Sequence, residues 1–169
     1  AAAATDSALR VDTGLATFDN GVRLGDVADT IMSVSVTLTN ANALNLRATP
    51  IEIVATPGAG RMIYILGGHI FFDYTAAYTE SADNLQLKYV NGTGTVCSGV
   101  IEATGFADAT ADAFTPIVAM ATGSGITSTA GEISNAAVVL HNTGDGEWGG
   151  GNASNTLIVT VYYVDVASG

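Results

Sequence analysis

The cleanest periodicity in the chain lies at Thr30 to Thr39, where Met32, Val34, Val36 and Leu38 alternate with Ser33, Ser35, Thr37 and Thr39. A period of two places the apolar set on one face of a strand and the hydroxyls on the other, so one face is core and one is wet. Arg61 to Asp73 departs from that rule. Met62, Tyr64 and Leu66 fall on one side and Ile63 and Ile65 on the other, and Ile70, Phe71 and Phe72 follow a Gly67-Gly68 pair. A strand apolar on both faces needs two covers, and in a two-layer sandwich the second is a loop, an added element or another subunit. The glycine pair predicts a bulge, a bend or the close approach of another backbone.

Shorter patterns fill in the rest. Ala41 to Ala48 reads as a short helical turn or a connection, and Ile51 to Ala55 as a strand ended by Pro57, Gly58 and Gly60. Ala76 to Asn84 reads as a polar loop. Leu85 to Val90 and Thr95 to Ala103 read as a hairpin closed by Asn91-Gly92-Thr93-Gly94. Gly105 to Ala113 carries a possible helical turn before Pro116, and Ile117 to Ala121 and Ala137 to Leu140 read as strands. His141 to Asn155 is a Gly-rich loop, and Thr156 to Val166 is the closing strand, apolar on both faces. About eight closely spaced strands with little amphipathic helix predict an all-β fold, a jelly-roll-like β-sandwich over residues 30–169.

Residues 1–29 form the remaining unit, an extended N-terminal arm or an edge hairpin turned at Asp19-Asn20-Gly21. Leu9, Val11, Leu15, Phe18, Val22 and Leu24 are its apolar positions and hence its candidate partner-binding residues.

Composition narrows the function classes. The 169 residues suit one domain. A net charge of −11, from 5 Lys and Arg against 16 Asp and Glu without a basic cluster, argues against nucleic acid and against anionic membrane surfaces. The longest apolar run, Met62 to Phe72, is interrupted by His69 and is shorter than the roughly 20 residues that cross a bilayer as a helix. Cys97 is alone, so no internal disulfide is expected, and with only His69 and His141 beside it a zinc site lacks soft ligands. The opening AAAATDSALR has neither a basic leader nor an apolar signal core, which reads as the start of a mature chain made in a cytoplasm.

Catalytic chemistry finds little footing. His69 lies mid-strand and His141 at a strand end, neither in a nucleophile–base frame, and Gly123-Ser124-Gly125 lacks the flanking glycines of a nucleophile elbow. Among 16 acids a carboxylate pair at glycosidase spacing arises by chance, so Glu52, Asp73, Glu80 and Glu102 carry no such signal. Asn142, Asp145, Glu147 and Asn152 offer oxygen ligands on a flexible loop but lack the dense Asp spacing of a calcium loop. No catalytic residue, cofactor or metal is expected. Trp148, in that loop, either plugs the end of the sandwich or is offered to a partner, where an aromatic ring anchors a protein interface or stacks on a sugar.

The run ATPIEIVATPGAGRMIYILGGHIFFDYTAAYTESADNLQLKYVNGTG, continued by IEATGFADATAD and the Asn-Thr-Leu-Ile-Val-Thr-Val-Tyr-Tyr strand, resembles small β-rich virion proteins of tailed bacteriophages. The resemblance spans the last two-thirds of the chain and excludes the arm. It implies a capsid decoration (cement) protein or related head or tail component, made in the bacterial host cytoplasm and placed on the capsid surface. Its implied partners are the major capsid protein and itself, as a homotrimer clamping neighbouring capsid subunits. The alternative is a binding module, from a phage tail or fibre or a carbohydrate-binding jelly roll, using Trp148.

Overall fold

The computed structural model describes residues 31–80, 83–120 and 129–168, so the arm with Leu9, Val11, Leu15, Phe18, Val22 and Leu24 lies outside the described residues. The described strands are β1 (Ile31–Thr39), β2 (Ile51–Val54), β3 (Arg61–Asp73), β4 (Tyr78–Thr79), β5 (Leu85–Tyr89), β6 (Ala113–Val118), β7 (Val138–Asn142), β8 (Gly149–Gly150) and β9 (Thr156–Ala167). Two short helices, α1 (Asn40–Ala43) and α2 (Ala130–Ile133), complete the list. At α1, Thr39 forms a capping box with Asn42: the Thr39 hydroxyl accepts from the Asn42 N–H, and Asn42 Oδ1 accepts from the Thr39 N–H at 3.0 Å.

One sheet has the order β1-β9-β3-β6 and the second β2-β7-β5, all antiparallel, with β4 and β8 forming a small separate ribbon. Residues 95–101 run beside β5 through bridges of Val96 to Lys88 and Ile101 to Leu85. The chain therefore alternates between sheets: β1 first, β2 second, β3 first, β5 and 95–101 second, β6 first, β7 second, β9 first. That winding is a double-sheet jelly roll.

The core lies between the sheets. Leu38, Ile70, Phe72, Leu157, Val159 and Val161 of the first sheet meet Leu85, Leu87, Val138 and Leu140 of the second, all fully buried. Burial of apolar area at about 25 cal/mol per Å² is the main term holding such a sandwich together.

Three expectations need correction. The 95–101 segment is not a continuous strand, because it shares its hydrogen bonds between layers: Cys97 N–H donates to Leu87 O, whereas Gly99 N–H donates to Val118 O across on β6. The expected loop at 76–84 contains β4, whose Tyr78 is buried and pairs with Gly150. Strand β6 begins before Pro116, because an edge strand tolerates a residue without an N–H.

Candidate interaction surface

Strand β3 explains why both of its sides read as apolar. Its pairing with β9 shifts register between Ile65 and Gly67, so one extra residue sits on β3 there. Upstream of this bulge the odd residues Ile63 and Ile65 point into the core; downstream the even residues Ile70 and Phe72 do. The glycine pair makes the passage possible. A Cβ on Gly68 would stand 2.1 Å from the Thr160 carbonyl oxygen, and Gly67 has φ 146°, which side-chain-bearing residues rarely adopt. Both expected meanings of the pair, a bulge and a close backbone approach, are present.

The outer face of the four-stranded sheet follows from the registers. Tyr64 lies beside Val164 and Ile31; Gly67 beside Tyr162, Ser33 and Val118; His69 beside Thr160, Ser35 and Pro116; Phe71 beside Ile158, Thr37 and Phe114. Phe114 is 64% exposed and Tyr64 58%, and Leu66, Val118, Tyr162 and Ile31 are also exposed. The His69 imidazole bridges the aromatic groups, stacked on Phe114 at a centroid distance of 5.0 Å and tilted against Tyr162 at 6.5 Å. In these rows the one carboxylate is Asp73, in the last row with Thr156 and Thr39. An aromatic, almost uncharged face on a chain of net charge −11 is the outstanding feature of the described surface.

Trp148 is elsewhere and has a different job. It is 3% exposed, its ring packs 5.3 Å from that of Tyr78, and its Nε1–H donates to the Asp83 carbonyl at 2.8 Å. A ring with its apolar surface buried and its one donor satisfied is a plug, so the expectation that it anchors a partner is corrected. Tyr78 in turn meets Phe72, which also packs on Tyr74 and Phe106. The Gly-rich loop is tied down around this plug: Gly146 N–H donates to Asp83 Oδ1, and the Glu147 carboxylate accepts from the N–H groups of Arg47 and Ala48 at 3.0 and 2.7 Å.

Three of the four oxygen-bearing side chains weighed as cation ligands, Asn142, Glu147 and Asn152, bond the backbone instead. Asn142 bonds Gly146 O and Gly144 N–H, and Asn152 accepts from Ser154 N–H. Among the described residues no group of three His, Cys, Asp or Glu side chains is placed to hold a metal. Cys97 is buried, and burial pushes its thiol up to about 12, which leaves it protonated and unreactive at neutral pH. His141 is nearly buried beneath Gly92, its Nδ1 has no hydrogen-bond partner, and burial followed by the nearby Lys88 charge lowers its pKa.

Phe114 was missed because the strand expected here, Ile117 to Ala121, began only after Pro116. The alternation Phe114, Pro116, Val118 was the available signal, once Pro is allowed on an edge.

No family model and no curated protein matches the chain. Among solved structures it is similar to a chain of the cyanophage Pam1 capsid asymmetric unit, at 14% identity and TM-score 0.39, covering 95% of this chain and 99% of that one. It is likewise similar to a chain of the capsid of Ralstonia phage GP4, at 13% identity and TM-score 0.40, covering 85% and 89% respectively.

Proposed function

We propose that the protein is a structural virion component, a capsid decoration protein that sits on the capsid surface and binds across neighbouring subunits of the major capsid protein. The observation that carries the reading is the outer face of the β1-β9-β3-β6 sheet, where Tyr64, Leu66, Phe114, Val118 and Tyr162 are exposed together. Docking that face excludes water from aromatic area and buries almost no charge, so the desolvation cost that opposes burial of charged surfaces is small. Aromatic residues at the centre of such a patch are the usual anchors of an interface. The protein works by binding and not by catalysis. Because it engages the assembled shell and not separated subunits, its binding free energy adds to shell stability.

The carbohydrate-binding alternative rested on Trp148, which is buried. Co-sedimentation with undecorated shells of the cognate phage tests the proposal. Wild type should pellet with shells and the Tyr64→Ser, Phe114→Ser double variant should stay in the supernatant. A wild-type protein that never pellets, or a double variant that pellets as well as wild type, overturns it.

A further inference from the structure

The second sheet carries a polar cleft on the side of the sandwich away from the aromatic face. Leu87 and Leu140 belong to the core, so by strand alternation their neighbours Lys88 and His141 point outward. An outward side chain is ordinarily wet, yet His141 is only 8% exposed, because residues 47–50 and 91–93 stand around it. The cleft between those segments measures about 520 Å³ and is lined by Arg47, Pro50, Asn91, Gly92, Thr93 and His141. Gly92 is fitted to the ring, since a Cβ there would stand 2.6 Å from His141 Nε2. Nδ1 of the same ring is buried without a hydrogen-bond partner, and an unpaired buried polar atom costs stability and calls for a reason.

Cations are few on a chain of −11, and they gather here. Of those among the described residues, Arg61 is committed to Asp165 at 2.7 Å, whereas Arg47 and Lys88 both act electrostatically on the His141 ring. Lys88 Nζ donates to the Gly92 carbonyl at 2.6 Å, which holds its ammonium against the cleft. Arg47 makes no ion pair among the described residues, and the Glu147 carboxylate fixes the backbone that presents its guanidinium by accepting from the Arg47 and Ala48 N–H groups. Asn91 Oδ1 accepts from the Thr93 N–H and hydroxyl, which leaves the Asn91 amide N–H groups uncommitted among the described residues.

We propose that this cleft receives the side-chain carboxylate of an Asp or Glu on a neighbouring protein of the shell, with the Arg47 guanidinium as its paired donor and Lys88 as the flanking charge. The inference rests on the reading of the chain as a capsid decoration protein. The planar fork of an arginine matches the two oxygens of a carboxylate. The charges acting on the His141 ring, Lys88 and Arg47 against Glu147, leave an excess of one, which a carboxylate cancels and a phosphate dianion overshoots. The lining has no hydrophobic side chain larger than proline, so a free small acid finds little of the apolar enclosure that small-molecule sites use. An acid carried on a partner that is already docked elsewhere adds its contact without a second translational cost. Because cleft and aromatic face lie on opposite sides of the sandwich, two different neighbours can engage them together.

The test titrates the full-length chain with N-acetyl-glutamic acid amide, free only at its side-chain carboxylate, and follows amide and imidazole signals by NMR. The Gly92, Thr93 and His141 signals should shift saturably, and the matching glutamine derivative should leave them in place. Arg47→Gln should weaken binding at least about tenfold, and Arg47→Lys, which keeps the charge without the fork, should fall between it and wild type. Should Arg47→Gln lose native circular dichroism, Arg47→Lys decides in its place. Absence of a saturable shift, equal binding of the glutamine derivative, or undiminished binding by the folded variant would overturn the proposal. Inorganic phosphate or butyrate binding more than about tenfold tighter than the blocked glutamate would overturn it too, by identifying a phosphate or a free small acid as the occupant. Co-sedimentation with shells separates this inference from the reading beneath it. Arg47→Glu should bind shells at least about tenfold more weakly than wild type. If it pellets as wild type does, only the cleft assignment fails; if wild type itself never pellets, the decoration reading fails and takes the shell carboxylate with it.

Discussion

The imidazole of His69 stacks on the ring of Phe114 with 26° between the planes, joining the centre of β3 to the one aromatic side chain of β6. A pair so placed is held by the sheet and contributes little to it. Phe114→Ser should therefore shift unfolding stability by less than about 0.5 kcal/mol, as exposed substitutions generally do. The same variant should weaken shell binding by at least about tenfold, the roughly 1.4 kcal/mol expected of a lost aromatic anchor. Urea denaturation and a shell-binding isotherm measure the two effects separately.

Trp148 is predicted to behave in the opposite way. Trp148→Ala opens a void against Tyr78 and leaves the Asp83 carbonyl without its indole donor, and such truncations cost about 3–5 kcal/mol. Trp148→Phe keeps most of the packing and should lose about 1–3 kcal/mol, including the unsatisfied carbonyl. Thermal melts that place Trp148→Ala within a degree of wild type would contradict the plug assignment.

Gly68→Ala tests the close passage of β3 and β9. With a Cβ 2.1 Å from the Thr160 oxygen, the two strands must separate locally, and a loss of more than about 2 kcal/mol is expected. Gly131→Ala is the control, since nothing stands within 4 Å of its added Cβ. The two proteins should differ clearly in denaturation midpoint.

His141 gives stability a pH dependence with a defined sign. Burial lowers its pKa in the folded state, so below the ordinary histidine range the unfolded chain binds more protons than the folded one. The stabilising contribution of the neutral ring is present above about pH 6.5 and is lost as pH falls through the lower folded value. His141→Gln removes this titration, so the melting temperature of wild type relative to the variant should decrease between about pH 7.5 and pH 5.5. A constant difference over that range would show that His141 does not titrate with folding.

The strands that read clearly from sequence are those whose partners matter least to their pattern. In β1 strict alternation marks one buried face, and β9 read as a strand apolar on both faces, of which Leu157, Val159 and Val161 are the buried set. Strands β4 and β8 were illegible because each is two residues long and exists only through a partner about 70 positions away. Thr95 to Ala103 read as one strand because Val96, Cys97 and Ile101 are apolar, yet its hydrogen bonds divide between β5 and β6. The double-faced pattern of β3 was visible, including its need for a second cover, but its cause was not. Periodicity records which residues are apolar, and only the register with β9 shows where the inward set changes parity.

That change of parity makes a single residue the selector of what the molecule displays. Without the extra position at Ile65–Gly67, a regular β3 could not keep Ile63 and Ile65 inside while leaving His69 and Phe71 outside. It would have to swallow an imidazole or surrender two isoleucines to water. The length of the strand at that point, more than the identity of any side chain on it, therefore determines whether an aromatic face exists.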